Sequence, residues 1–299
     1  MTTSSPARLS LALSTLAALA PPLAGQPPAP TYTALIVPDA ASTQAYGIND
    51  KGQVVGSYSD AAGSLHGFGL AGGTYYIADI PGASDTEATG ISNDEVVGYY
   101  DIKSTDAGGN FLTAYHGFVL TENGYATLDV PGADYGTTVI NGIDAKNEIV
   151  GYYMSNGVTY GFVLKRGVYT TLEEPDGSYI SAGGLNTRGQ VVGTYLDSFD
   201  NEQGFLLSGG KYVSLFGPGD SFLAYANGIN EAGQVVGYSE SGPPYTYHGF
   251  LLSHGAYTTI AYPGAGAYTL PNGINSSGKI VGSYYAAGVI HGFLYTPAH

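Results

Sequence analysis

Four histidines stand in the same short context, His-Gly-Phe, at His66, His116, His248 and His291. Imidazoles returning at fixed intervals are common material for a metal site. In two further copies of the segment, however, Tyr160 and Gln203 hold that position. What recurs is a side chain able to form a hydrogen bond, so a structural bond to a neighbouring turn is expected there. A second group is acidic and aromatic. Asp85, Glu87, Asp134, Tyr135 and Tyr179 fall between repeated apolar segments, as do Asp220, Phe222, Tyr225 and Tyr268. Rings beside carboxylates and amides are the usual equipment of a sugar-binding site. These nine are the candidate ligand residues. Two carboxylates such as Asp134 and Asp220 would also serve as acid and base in a glycosidase or lyase, at a separation that decides the chemistry. No catalytic residue is assigned.

Composition narrows the classes. The formal net charge is −15 with nine Lys and Arg in 299 residues, so nucleic acid and anionic membrane surfaces are excluded as partners. No cysteine occurs, which removes disulfides, thiolate catalysis and Cys-based zinc sites. The G-x-S-x-G elbow, H-E-x-x-H, the phosphate loop and the dinucleotide fingerprint are all missing. Asn49-Asp-Lys-Gly52 has the look of a calcium loop, but the equivalent stretches lack spare carboxylates and read as hairpin turns. No cofactor is expected, and Ca²⁺ has no supporting motif.

The elements that must position these residues come from a repeat. Gly47 opens GINDKGQVVG, and related motifs open at Gly90, Gly142, Gly184, Gly228 and Gly273. Such a period means one supersecondary unit used many times. Each unit has four short apolar segments: Ala45–Asn49 with its GIN core, QVVGSY (53–58), HGFGL (66–70) and YYIADIP (75–81). High Gly and Tyr content with few charged residues suits strands and tight turns. The fourth segment is missing after the last His-Gly-Phe copy, but Tyr32–Pro38 supplies one before the first motif. The predicted fold is therefore all-β, a six-bladed β-propeller of four-stranded blades whose ring is closed by the N-terminal strand. An open β-solenoid is the alternative. The long fourth-to-first connections place the GIN segment innermost. They also put the crossing loops on one face with the divergent second-to-third loops, which add Asp60, Asp101, Asp106, Asp197, Asp200, Glu202 and Glu240. The motif itself is expected to build the frame, and the non-repeating loops to hold the site.

Residues 1–25 have the weak positive start, apolar middle and small-residue end of a secretory signal peptide, and residues 26–30 read as a linker to one domain over 31–299. Gln26 stands where a lipidated cysteine would be, so no lipid anchor is expected.

The pattern GIN-x-x-G-Q-V-V-G, followed some ten residues later by His-x-Phe-Leu, resembles the HAF-type extracellular repeat of bacterial proteins, here with HGF in place of HAF. The resemblance implies a secreted or surface-exposed β-repeat protein, extracellular or periplasmic, and brings no catalytic residues with it. The expected function is binding, as a monomer, of a glycan or other surface polymer through the variable-loop face near the central opening. The alternatives are a carbohydrate-active, hydrolytic or lyase enzyme using loop carboxylates with Ca²⁺ assistance, and a structural envelope protein.

Overall fold

The structure is a computed structural model, described over residues 29–106, 108–173, 178–218, 223–242, 245–266 and 268–298. It is a six-bladed β-propeller of four-stranded antiparallel sheets. Blades 1 to 5 each run from an inner to an outer strand in chain order. Blade 6 takes three strands from the C-terminal part and its outer strand, Thr31–Leu35, from the N-terminal part. That strand pairs antiparallel with Val289–Thr296, Leu35 lying opposite Gly292. Tyr32 sits edge-on to Tyr262 and Tyr295 at 5.7 and 5.1 Å, and its hydroxyl accepts a hydrogen bond from the amide of Ala261. The closing strand is thus fastened to blade 5 as well as to its own sheet. The residues expected to form a leader and most of the linker lie outside the described residues. Among the described residues no helix is long and apolar enough to cross a membrane.

Each constant residue of the motif has a mechanical role. The phenylalanine of the third strand (Phe68, Phe118, Phe162, Phe205, Phe250, Phe293) is fully buried in every blade. In blades 1, 4 and 6 its ring packs over the second-strand glycine, so closely that a Cβ on Gly56, Gly193 or Gly282 would fall 2.7–2.8 Å from it. The same Cβ would stand 2.0–2.1 Å from the carbonyl oxygen of the inner strand, where a register shift bulges that strand. A methyl group cannot be placed there. The motif's opening glycines form the tightest girdle of the molecule. A Cβ on Gly47 would meet Gly90 Cα at 3.1 Å, one on Gly184 would meet Gly228 Cα at 3.1 Å, and one on Gly273 would meet Gly47 Cα at 3.3 Å. The inner strands therefore approach one another through bare backbone around the axis.

The turn inside the motif closes the ring a second time. Asn49 Oδ1 accepts from the amides of Lys51 and Gln53, as expected of an Asx turn. Its amide nitrogen then donates to the Asn93 carbonyl of the next blade at 3.0 Å. Asn186, Asn230 and Asn275 repeat the bond to Asn230, Asn275 and Asn49 in turn.

Two boundaries differ from the sequence reading. The inner strands begin several residues before the motif: Ser42–Ile48 in blade 1, Asp85–Ser92 in blade 2, Ser178–Leu185 in blade 4, Leu223–Ile229 in blade 5. Asp85, Glu87, Tyr179 and Tyr225 are accordingly strand residues and not loop residues. The stretch upstream of the motif alternates buried and half-buried positions in blades 1, 2 and 5, so the ladder continues through residues whose polarity suggested a loop. In blade 2 the second and third strands extend to Thr105 and from Phe111, so Asp101 pairs with Tyr115 inside a long hairpin.

Candidate functional site

The axis of the ring holds a cavity of about 430 Å³ on the side of the crossing loops. It is built in tiers, each filled from equivalent register positions of different blades. The residue before each motif glycine borders the narrow waist: Tyr46, Thr89, Asn141, Gly183, Asn227 and Asn272. Most of these polar groups tie neighbouring blades together. Thr89 Oγ1 donates to the Ile140 carbonyl, Asn141 Nδ2 to Ala182 O, Asn227 Nδ2 to Pro271 O and Asn272 Nδ2 to Ala45 O, all within 2.8–3.0 Å. Two residues further out on the same strands come Gln44, Glu87, Ser181, Tyr225 and Leu270. The second strands contribute the residue after their glycine: Tyr99, Tyr152, Thr194, Tyr238 and Ser283. Tyr179 and Glu202 complete the wall.

Among the described residues two carboxylates, Glu87 and Glu202, face this cavity, and each is held by tyrosine. Tyr46 donates its hydroxyl proton to Glu87 Oε2 at 2.8 Å and Tyr99 donates to Oε1 at 2.5 Å. Burial, with the Glu87 charge adding to it, pushes the Tyr46 hydroxyl well above the usual phenol range, and Tyr99 is raised for the same reasons. Both stay protonated and act as donors. Burial raises Tyr152 to about 12. On blades 4 and 5, Tyr225 donates to Glu202 Oε2 and lies stacked on Tyr238, ring centroids 4.4 Å apart at 17°. Burial, with repulsion from Glu240, holds Glu202 above the ordinary carboxyl range. Among the described residues no Lys, Arg or His lines the cavity.

The candidate residues separate cleanly. Glu87, Tyr179 and Tyr225 meet in the cavity wall. Asp85 accepts a hydrogen bond from the Leu65 amide and pairs with Lys103. Asp134 accepts from the amides of Asn156 and Gly157, both at 3.1 Å, and so fixes a loop. Tyr135 is 85% exposed and touches His116 edge-on, away from the axis. Tyr268 packs edge-on against Tyr247 and Tyr285 outside the cavity lining. Asp220 and Phe222 lie outside the described residues. Among the loop acids, Asp60, Asp106 and Asp197 accept backbone amides within their own turns; those bonds hold Asp60 and Asp197 below the ordinary carboxyl range, and the Asn110 side chain followed by its amide does so for Asp106. Asp101 accepts the Asp85 amide at 2.9 Å. These carboxylates build loops.

The repeated histidines do not converge. His66 Nδ1 bonds Asp79 at 2.9 Å and His116 Nδ1 bonds Asp129 at 2.8 Å, each carboxylate belonging to the turn after the outer strand of the same blade. The Asp79 hydrogen bond raises His66 above its ordinary value. Among the described residues no three His, Asp or Glu side chains are placed to hold one ion.

Sequence reading missed Tyr46, Tyr99, Tyr152 and Tyr238, and placed Glu202 on the variable-loop face without counting it among the candidate ligand residues. The four tyrosines sit inside or beside the repeated motif, whose constancy points to a frame. Their signal was nonetheless present: where the motif's neighbours stay constant, these register positions differ from copy to copy.

No family model matches the chain, and neither does any curated protein. Solved structures do resemble it. YjhT superposes with a TM-score of 0.52 at 10% identity, over 86% of this chain and 94% of that one. The fucose-specific lectin from Aleuria aurantia gives 0.45 at 14% identity, over 86% and 95% of the two chains. A Trypanosoma rangeli sialidase in complex with sialic acid gives 0.47 at 9%, over 86% of this chain and 54% of that one. The likeness to YjhT shows the fold alone, and the other two superpose too loosely to carry an argument.

Proposed function

We propose that the protein is an exported carbohydrate-binding propeller, a divergent member of the HAF-type repeat group, which takes a glycan into the axial cavity on its crossing-loop side. One observation carries this reading. Six blades bring tyrosine, carboxylate and amide groups from equivalent positions into one concavity, and its size lies in the range that holds a small ligand, roughly 300–1,000 Å³. Tyrosine faces offer the apolar side of a pyranose a flat surface, while hydroxyl and carboxylate groups meet its hydroxyls. The aromatics considered from sequence, Tyr135 and Tyr268, are not among the residues that line this cavity.

The test is a glycan array followed by calorimetry on the best ligand. Tyr179→Ala and Tyr225→Ala are expected to weaken binding by about tenfold or more each, whereas Tyr135→Ala leaves it unchanged. Binding insensitive to both cavity substitutions would remove the site from consideration.

A second reading, glycoside hydrolysis, is favoured by a single feature: burial raises Glu202 above the ordinary carboxyl range, the direction a general acid needs. Chromatography of a bound oligosaccharide after prolonged incubation decides it, since shortened products that vanish in Glu202→Gln require catalysis.

A further inference from the structure

We propose that the ligand of the axial cavity carries a positive charge, and that it is a sugar with a free amino group; this rests on the carbohydrate reading above. The inference starts from charge balance. Among the described residues Glu87 and Glu202 are the two carboxylates of the wall, and every other lining side chain is neutral. Their tyrosine partners donate protons but bring no compensating charge. Two uncompensated anions inside a concave wall focus a negative potential on whatever enters. An acidic sugar is repelled by that potential. A neutral sugar gains little from it. An ammonium group gains from both carboxylates and from the tyrosine faces beside them, since cations are attracted to aromatic rings within about 6 Å.

A further observation points to a ligand at the same place. Ser283 lines the cavity, is 1% exposed, and its Oγ has no hydrogen-bond partner. Its counterpart in blade 1, Ser57, spends its hydroxyl on Tyr46 and Glu87. In blade 6, Asn272 stands where blade 1 has Tyr46 and spends its amide on Ala45 O, while the apolar Leu270 lies opposite Ser283. The Ser283 hydroxyl is therefore available to an incoming hydroxyl or ammonium group. Outside the cavity, Asp60 and Asp106 are bonded to backbone amides in their own turns and Asp134 to amides of a neighbouring hairpin, so these three do not compete for this role.

The test compares three tetrasaccharides by calorimetry on the full protein: a β-1,4-glucosamine oligomer, its fully N-acetylated counterpart and a β-1,4-glucose oligomer. Spermidine is the sugar-free amine. The glucosamine oligomer should bind, with affinity at least about tenfold above the acetylated one, since acetylation removes the charge. Glu87→Gln and Glu202→Gln should each abolish most of that preference. Both replacements keep an acceptor for the tyrosine hydroxyls, and circular dichroism of each verifies the fold. Equal or tighter binding of the acetylated or glucose oligomer overturns the charge inference while leaving the carbohydrate reading intact. Spermidine binding with no sugar bound, or no binding by any of the four, overturns both. A preference for the glucosamine oligomer that survives both Gln variants overturns the assignment to these carboxylates.

Discussion

At the position where four blades carry the ring-closing asparagine, blade 3 carries Asp144. Its Oδ1 accepts the amides of Lys146 and Glu148 just as the asparagine oxygens do. Its Oδ2 stands where the others have an amide nitrogen, is buried, and has no partner. Burial raises the Asp144 carboxyl above its ordinary value, with Glu148 and Glu231 adding repulsion. A carboxyl whose folded value exceeds its unfolded one favours the fold while protonated. That contribution is present below the unfolded value and is lost as pH rises through the folded one. Asp144→Asn should therefore stabilise the protein at neutral pH by about 1–2 kcal/mol, the scale of one buried unsatisfied group. The gain should shrink on acidification, and thermal melts at pH 4 and pH 7 check both the size and the sign. This exception was visible in the sequence as GID among GIN copies. Its cost was not, because the partner of the amide lies in another blade, 44 residues away in the pairs Asn49–Asn93 and Asn186–Asn230.

Strands obey a division between constant and variable positions. The constant ones, such as the phenylalanine and the glycine it covers, made the six-bladed ring legible from sequence. The variable ones were harder to place, because a strand alternates its faces and only the direction of the pleat tells which residues reach the axis. Glu87 and Tyr225 looked like loop residues until the inner strands proved longer than the motif. Two glycines test the division. Gly228→Ala would bring a methyl 2.7 Å from Asn272 O and 3.3 Å from Gly273 Cα, backbone atoms of the next blade that cannot turn aside. A loss of roughly 1–3 kcal/mol in chemical denaturation is expected. Gly69 lies on a third strand where other copies have Val or Leu, and a Cβ there meets nothing within 4 Å. Gly69→Val should be neutral or stabilise by about 0.5–1 kcal/mol in the same assay.

For the whole molecule, the closing strand governs cohesion. Thirty-one to thirty-five pair with 292–296, and the Tyr32 ring reaches across to blade 5. Deleting residues 29–37 should expose the edge of Val289–Thr296, lower the melting temperature and promote association through that edge. Gel filtration and melting curves measure both effects, and a synthetic peptide spanning 29–38 should reverse them. The closure was legible in segment counts, since a missing fourth segment at one end and a surplus one at the other favour a ring over the open solenoid that the repeat also allows.

That closure also imposes an order on biogenesis. Thr31–Leu35 lies at the outer edge of its sheet and has a single neighbouring strand, Val289–Thr296. The first strand of the ring to leave the ribosome must wait for almost the whole ring before it can pair. Local blades can form as they appear, but the last blade depends on a contact between distant ends of the domain, the slow kind of step in folding. Until then the chain remains an incomplete ring with an open seam, whose unpaired strand edge is the part a chaperone would have to cover.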